Sequence, residues 1–295
     1  MTGLAKSEIP AKAATRADAA ARWAREIAGR TALGRIAGLE VRLARDETEI
    51  AAAQEVRYRV FYDELGACVA DAAPVDRRDA DRFDLVCDHL LVLDTTLPGA
   101  DHERIVGTYR LLRQDVARAN GGFYSAGEFE IDALVARHPG RRFLELGRSC
   151  VLPEYRTRRT VELLWQGIWA YARRHHVDVM VGCASFPGIA PAAHAQALSF
   201  LAQNAAAADE WRIAALRSRA YAMDLMPSEA IDAREALAEM PPLIKGYLRL
   251  GARFGDECVI DAEFGTTDVF VVLPVEAISE RYINYYGADA TRFAA

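Results

Sequence analysis

A lone carboxylate in an apolar run is the first candidate for chemistry. Glu145 sits in Leu144-Glu145-Leu146-Gly147-Arg148-Ser149-Cys150. On a central strand it would lose solvation and its pKa would rise, which suits a general base for an ammonium nucleophile. The plainer reading is an ion pair with Arg148. Arg57 and Phe61 lie four apart and share a helix face. Ile50 and Leu65 turn that face partly inward, where a guanidinium needs an anion. That anion is either a structural carboxylate or part of a substrate or loop. Asp79, Asp81 and Asp84 crowd one polar stretch. Such acids are simply solvated, or receive a cationic amine, or partner Arg57 or Arg110. Strand alternation puts Arg110 beside Thr108 and Leu112, where it would hold a carboxylate bidentately. From Arg137 to Arg174 nine Arg stand against three Glu, with Arg156, Arg158 and Arg159 the densest. The run is either a solvated face or a docking surface for an acidic protein or phosphate. No aromatic stacking pattern is interleaved with the Arg residues, which makes nucleic acid less favoured.

The elements that must position these residues follow from hydrophobic period and punctuation. An Ala-rich helix over 15–30 carries Trp23 and Ile27 one turn apart. A first strand covers 39–45, and a helix opens at Thr48 and runs to about Leu65, ended by Gly66. Residues 67–85 lack apolar period and read as loop. Strands at 86–94 and 105–113 are joined through Pro98-Gly99, and a short helix lies near 131–137. A strand at 142–152 contains Gly147, where a bulge is expected. An amphipathic helix at 161–174 leads into a buried strand at 177–185. Residues 189–205 are helical. Residues 242–250 form a helix with Pro242 at its start and Gly251 past its end. A hairpin pairs 258–263 with 268–273, and a last helix covers about 276–286. The order is mixed α/β, not an alternating doubly wound one. The expected organisation is a basic helical arm at 1–37 and one catalytic domain at 38–295.

The chain has 295 residues, 52% apolar and 26% charged, an ordinary globular composition. Its net charge of −6 hides a split. Residues 1–45 hold nine Lys/Arg against four acids, so they carry +5 and leave −11 to the rest. No apolar run reaches the ~18–20 residues of a membrane span, and the N-terminus has no signal-peptide pattern. The expected place is the cytoplasm, with the basic arm a candidate for lying on the inner membrane face. Five scattered Cys without CxxC suggest neither disulfide nor zinc. Adjacent His175 and His176 read as a helix end rather than a metal clamp.

These segments together resemble the GNAT N-acyltransferase fold, a mixed, mostly antiparallel sheet flanked by helices, here with a C-terminal extension. Val151-Leu152-Pro153-Glu154-Tyr155-Arg156, the following helix and the strand after it resemble its acyl-donor half. The family's Q/R-x-x-G-x-G/A turn, which binds coenzyme A pyrophosphate, is here Arg156-Thr157-Arg158-Arg159-Thr160-Val161. Both small positions are lost, which points to acyl carrier protein rather than a nucleotide-bearing donor. Arg57-x-x-x-Phe61, Asp81-x-x-Asp84, Arg110-Leu111-Leu112 and Glu145-x-x-Arg148 resemble the acyl-homoserine-lactone synthases. The stretch from Pro241 to Gly251 and Glu263-Phe264-Gly265-Thr266-Thr267-Asp268 resemble the L-ornithine N-alpha-acyltransferases of bacterial ornithine-lipid synthesis. No Trp occurs in 66–78, where the lactone synthases usually have one, so the second resemblance is favoured.

That resemblance implies transfer of a 3-hydroxyacyl chain from acyl carrier protein to the alpha-amine of L-ornithine, forming lyso-ornithine lipid. No tightly bound cofactor is implied, since the carrier's 4'-phosphopantetheine is the donor arm. Glu145 and Arg148 would be catalytic, and Arg57, Phe61, Asp81, Asp84 and Arg110 would bind the acceptor. Cys150, Val151, Arg156, Arg158 and Arg159 would meet the pantetheine or its acidic carrier on the 137–174 face. A lactone synthase or another amino-acid N-acyltransferase shares this site. A degenerate domain that only binds carrier or membrane is the non-enzymatic alternative.

Overall fold

Apolar strands of period two build one nine-stranded sheet. The structure is a computed structural model that describes residues 32–68 and 75–279. In chain order it contains β1 (Gly34–Ile36), β2 (Leu39–Leu43), α1 (Glu47–Tyr58), β3 (Asp88–Asp94), β4 (Ile105–Arg113) and α2 (Gln114–Ala119). Then come α3 (Ile131–Arg137), β5 (Phe143–Val151), α4 (Arg158–Arg174), β6 (Val179–Pro187) and α5 (Ala195–Asn204). The chain closes with β7 (Ala220–Ala222), α6 (Ala233–Glu239), α7 (Pro242–Leu250), β8 (Arg253–Asp261) and β9 (Thr266–Pro274).

The sheet order is β1-β2-β3-β4-β5-β6-β9-β8-β7. Every pairing is antiparallel except β5 with β6, which α4 connects as a crossover helix. Among the described residues, one core lies under α1, α4, α5 and α7 and includes Val56, Ile168, Leu198 and Ile244. A second core on the opposite face includes Val116, Ile131, Leu134, Phe270 and Val272.

Several elements differ from the sequence reading. Asp46, not Thr48, starts α1, because its side chain accepts from the Glu49 N–H. The last turn of that helix widens, with the Leu65 N–H donating to the Val60 carbonyl. Residues 34–36, assigned to the basic arm, are an edge strand paired with β2. The expected helix at 276–286 fails at its start, where Val275–Ala277 is one short turn and Ile278 is extended. The helix at 15–30 and most of the 1–37 arm lie outside the described residues, as does everything after 279. No helix among the described residues is long and apolar enough to cross a membrane.

The feature that matters for function is a fork. β5 and β6 pair only at Phe143↔Val179, Leu144↔Met180 and Glu145↔Val181. Beyond that point β5 follows β4 to Val151, while β6 follows β9 to Pro187. The expected bulge is present. Arg110 faces Gly147 and Thr108 faces Cys150, so β5 has one extra residue there. Arg148 takes it up in left-handed backbone, φ 49°. Gly182 sits at the crotch, where an added Cβ would lie 2.3 Å from the Leu146 carbonyl oxygen. Gly182→Ala should therefore push the strands apart and cost about 1–3 kcal/mol, the usual range for overpacking. A urea midpoint equal to wild type would show that the fork yields without cost.

Candidate functional site

The fork opens into a cleft of about 250 Å³ that reaches both faces of the sheet. Phe61, Tyr109, Leu146, Ala184 and Leu243 line its apolar side. Tyr124, Glu145, Arg148, Cys183, Asp261 and Asp268 line its polar side. A thioester arm and an amine can thus approach one point from opposite directions.

Glu145 stands at the last paired residue of β5, just inside the fork. Its Oε2 accepts the Tyr124 N–H at 2.8 Å and its Oε1 the Ser125 N–H at 2.9 Å. These donors open the short turn Tyr124–Gly127 over the sheet. Burial pushes the Glu145 carboxyl above the usual range, while the Ser125 and Tyr124 bonds pull against it. The alternative ion pair with Arg148 is not formed.

Arg148 turns the other way. Its Nε lies 3.2 Å from Asp79 Oδ2 and its Nη2 3.5 Å from Asp81 Oδ2. Its guanidinium sits over the rings of Tyr124 at 4.8 Å and Phe264 at 4.4 Å. Phe264 also meets Phe61 edge-on at 5.6 Å, so Phe61 forms a wall of the cleft.

The remaining acceptor candidates form an ion-pair network with Arg148. Arg57 is 0% exposed. It donates from Nε to Asp79 Oδ2 at 2.8 Å, from Nη1 to Asp84 Oδ1 at 2.8 Å, and from Nη2 to Asp84 Oδ2 at 2.9 Å. Nη2 also donates to the Asp79 carbonyl. Arg110 donates from Nη1 to Asp81 Oδ1 at 2.6 Å, with Asp84 at 3.5 Å. The motif Asp81-x-x-Asp84 is a reciprocal cap. Asp81 accepts the Phe83 N–H and Asp84 accepts the Asp81 N–H.

Three expectations are corrected here. Arg57 has its donors committed to Asp79 and Asp84 inside the protein, the structural-carboxylate alternative of the sequence reading. Arg110 Nη1 is held by Asp81 and Asp84, although its Nε has no hydrogen-bond partner. Asp81 and Asp84 pair with guanidinium groups, as the alternative reading of these acids expected, with only Asp81 Oδ2 left without a hydrogen bond. The physical reason is common to all: a buried charge is tolerated only with its partner in place.

The donor candidates also divide. Cys150 is buried in the core, and burial pushes its thiol up to about 12. The β5 residues lining the cleft run from Glu145 to Ser149, short of Cys150 and Val151. Arg156 is tied to Glu64 by two bonds of 2.6 Å and donates to the Val151 carbonyl at 3.0 Å. The Arg158 side chain is 87% exposed and pairs with Glu162, while Arg159 is exposed beside it. Both follow the Thr157 cap at the start of α4. Arg173 and Arg174 end that helix, about 24 Å away at 1.5 Å per residue. The Arg-rich 137–174 stretch is therefore two separate ends, not one face.

Sequence reasoning missed Tyr124 and the group Glu128, Cys183 and Asp268. The one available signal was Asp268, a carboxylate at the head of the apolar run Val269-Phe270-Val271-Val272-Leu273.

Comparison with known proteins gives the family. Residues 56–166 match the family model described as an acetyltransferase (GNAT) domain. The chain is 63% identical over 263 residues to a Rhizobium meliloti protein called L-ornithine N(alpha)-acyltransferase, covering 89% of each. A Brucella abortus protein of the same description is 62% identical over 88% of this chain and 93% of its own length. One from Rhodobacter capsulatus is 42% identical over 84% and 94%. Among solved structures, FeeM, an N-acyl amino acid synthase from uncultured soil microbes, aligns with TM-score 0.45 at 11% identity, covering 81% of this chain and 91% of its own.

Proposed function

The chain belongs to the L-ornithine N(alpha)-acyltransferases, acyltransferases of the GNAT fold, and from that premise we propose that it acylates the α-amine of L-ornithine. The donor in this reading is a 3-hydroxyacyl group on acyl carrier protein, and the products are lyso-ornithine lipid and the free carrier thiol. The observation that carries it is a buried carboxylate at the fork, open to an apolar entry on one side and an acidic one on the other.

The donor arm enters between β5 and β6. Both strands have unpaired edges there, so the amides of the phosphopantetheine can add strand-like bonds. Glu145 takes one proton from the α-ammonium. The neutral amine then attacks the thioester carbon, the C–N bond forms and the C–S bond breaks. The amine's second proton passes to the departing thiolate. Holding both reactants at one fork supplies much of the acceleration. No acyl-enzyme is needed, and Cys150 is a packed thiol. Arg148 orders the acceptor side through Tyr124 and Phe264, with Arg57, Arg110 and their aspartates fixing Arg148 from behind. Arg158 and Arg159 at the start of α4 offer positive charge to an acidic carrier. The basic N-terminal stretch would keep the chain at an anionic membrane, where the product partitions.

The test is direct. The purified chain is given 3-hydroxyacyl carrier protein or 3-hydroxyacyl coenzyme A, together with single amino acids. The product is identified by mass. Carrier protein should exceed coenzyme A in kcat/KM by roughly tenfold or more, one step of about 1.4 kcal/mol. Equal use of both donors removes the carrier assignment, and acylation of glycine or serine in preference to ornithine removes the acceptor.

A further inference from the structure

The polar side of the cleft holds more negative charge than Glu145 accounts for. Asp261 and Asp268 line it, and Glu128 stands directly behind Cys183. Nearby cations are few among the described residues. Arg148 is engaged by Asp79 and Asp81, and Arg219 Nη2 lies 3.3 Å from Glu128 Oε1. Asp268 is 7% exposed, yet its Oδ1 has no hydrogen-bond partner. The Thr266 and Ser185 hydroxyls bond to this carboxylate, but an oxygen buried without a well-placed donor is costly, so Oδ1 can still take a cationic one. Glu128 is 5% exposed, and its Oε2 receives only the Cys183 thiol at 3.5 Å. One ligand atom each from Glu128, Cys183 and Asp268 lies within 4.8 Å of the others.

We propose that Glu128 and Asp268 form the subsite for the side-chain ammonium of a dibasic amino-acid acceptor. This rests on the acceptor reading above and names the residues that make ornithine the substrate. Strand register supports the spacing. Glu145 faces Val181, Cys183 faces Phe270, and Asp268 faces Ser185. Cys183 is two residues beyond Val181, about 7 Å along the strand. That step suits two amines separated by an α-carbon and three methylenes. Glu145 can then take the α-ammonium proton while the other end of the same molecule is held by Glu128 and Asp268.

The charge state agrees. Burial first, then Asp268, pushes the Glu128 carboxyl up to about 7, with Arg219 opposing. Burial also raises Asp268, against hydrogen bonds from the Thr266 and Ser185 side chains. Both shifts mark a pocket short of positive charge, which a bound ammonium supplies. Burial holds the Cys183 thiol well above its usual range, so it remains a donor to Glu128.

The experiment compares ornithine with norvaline, the same chain without its terminal amine, using one acyl donor and the full-length protein. In Glu128→Gln and in Asp268→Asn, the ornithine-over-norvaline ratio of kcat/KM should fall roughly ten- to a hundredfold, mostly through KM for ornithine. Each near-isosteric amide removes the charge and turns one acceptor oxygen into a donor; the second change affects both amino acids alike, so the ornithine-over-norvaline ratio isolates the charge. Ornithine should also raise the Tm of the wild-type protein more than norvaline at equal concentration, which needs no variant to fold. Variants that keep the wild-type ratio, or equal Tm shifts for both amino acids, overturn the subsite alone. Activity lost on chelation and restored by a divalent metal overturns it in favour of a metal site. A wild-type protein that does not acylate ornithine overturns this subsite and the acceptor reading together.

Discussion

Glu145→Gln should lower kcat/KM by about 10²–10⁴-fold at neutral pH, the usual contribution of a positioned general base. The amine arrives as an ammonium and cannot attack until a proton leaves. Glu145 is the cleft carboxylate at the fork itself, and burial raises its proton affinity toward the working range. Its oxygens already accept the Tyr124 and Ser125 N–H groups, so Gln would also leave one N–H poorly matched. A structural loss of that kind costs about 1–3 kcal/mol and is the same at every pH. The pH profile therefore separates the two roles. The wild-type rate should fall as pH drops through the raised Glu145 pKa, because the base is then protonated. The Gln variant should lack that limb and regain rate as pH rises above about 8, where free α-amines deprotonate unaided. A variant within threefold of wild type at neutral pH, or with an unchanged acidic limb, removes Glu145 as the base.

What the sequence shows of this molecule depends on how far apart the interacting parts lie. β4, α3 and α7 match their expected bounds to the residue, because alternation, helical period and the Pro242/Gly251 punctuation are local signals. β1 and β7 have three residues each, too few to alternate, and were missed. α2 and α6 are six and seven residues long and show no full apolar period. The same logic governs the site. Glu145 stood out because its own neighbours are apolar. Pairing of these acids with Arg57 was one of three open readings, and the sequence could not choose it, since Asp79 and Asp84 lie 22 and 27 residues away. A sequence displays charges but not pairs, so buried partners looked like open ligands. Glu128, Cys183 and Asp268 come from three distant segments and meet only in the folded sheet.

The largest effect on stability should come from Arg57→Ala, at about 3–5 kcal/mol, the range for removing one partner of a buried ion pair. Arg57 is fully enclosed and satisfies Asp79 and Asp84 at once. Without it both carboxylates are buried with fewer donors, and Arg110 and Arg148 inherit competing acids. Asp84 gives the effect a pH signature. Burial alone would raise its carboxyl, but Arg57, then Arg110 and His89, hold it well below the usual range. A depressed carboxylate contributes stability that is present above its unfolded pKa, about 3.9, and lost as pH falls toward the folded value. In the Ala variant burial dominates and the Asp84 pKa rises, so protonation relieves the buried charge. The gap in unfolding free energy should thus be widest at neutral pH and narrow as pH falls through 5 and 4. Adding Asp84→Asn to the variant should recover part of the loss at pH 7, because one uncompensated charge is gone. Denaturant titrations of the three proteins at several pH values decide it. A gap that is constant with pH, or below about 1 kcal/mol, would mean that Arg57 fills space rather than neutralising charge. In that case the fixed position of Arg148 beside the cleft would need another cause.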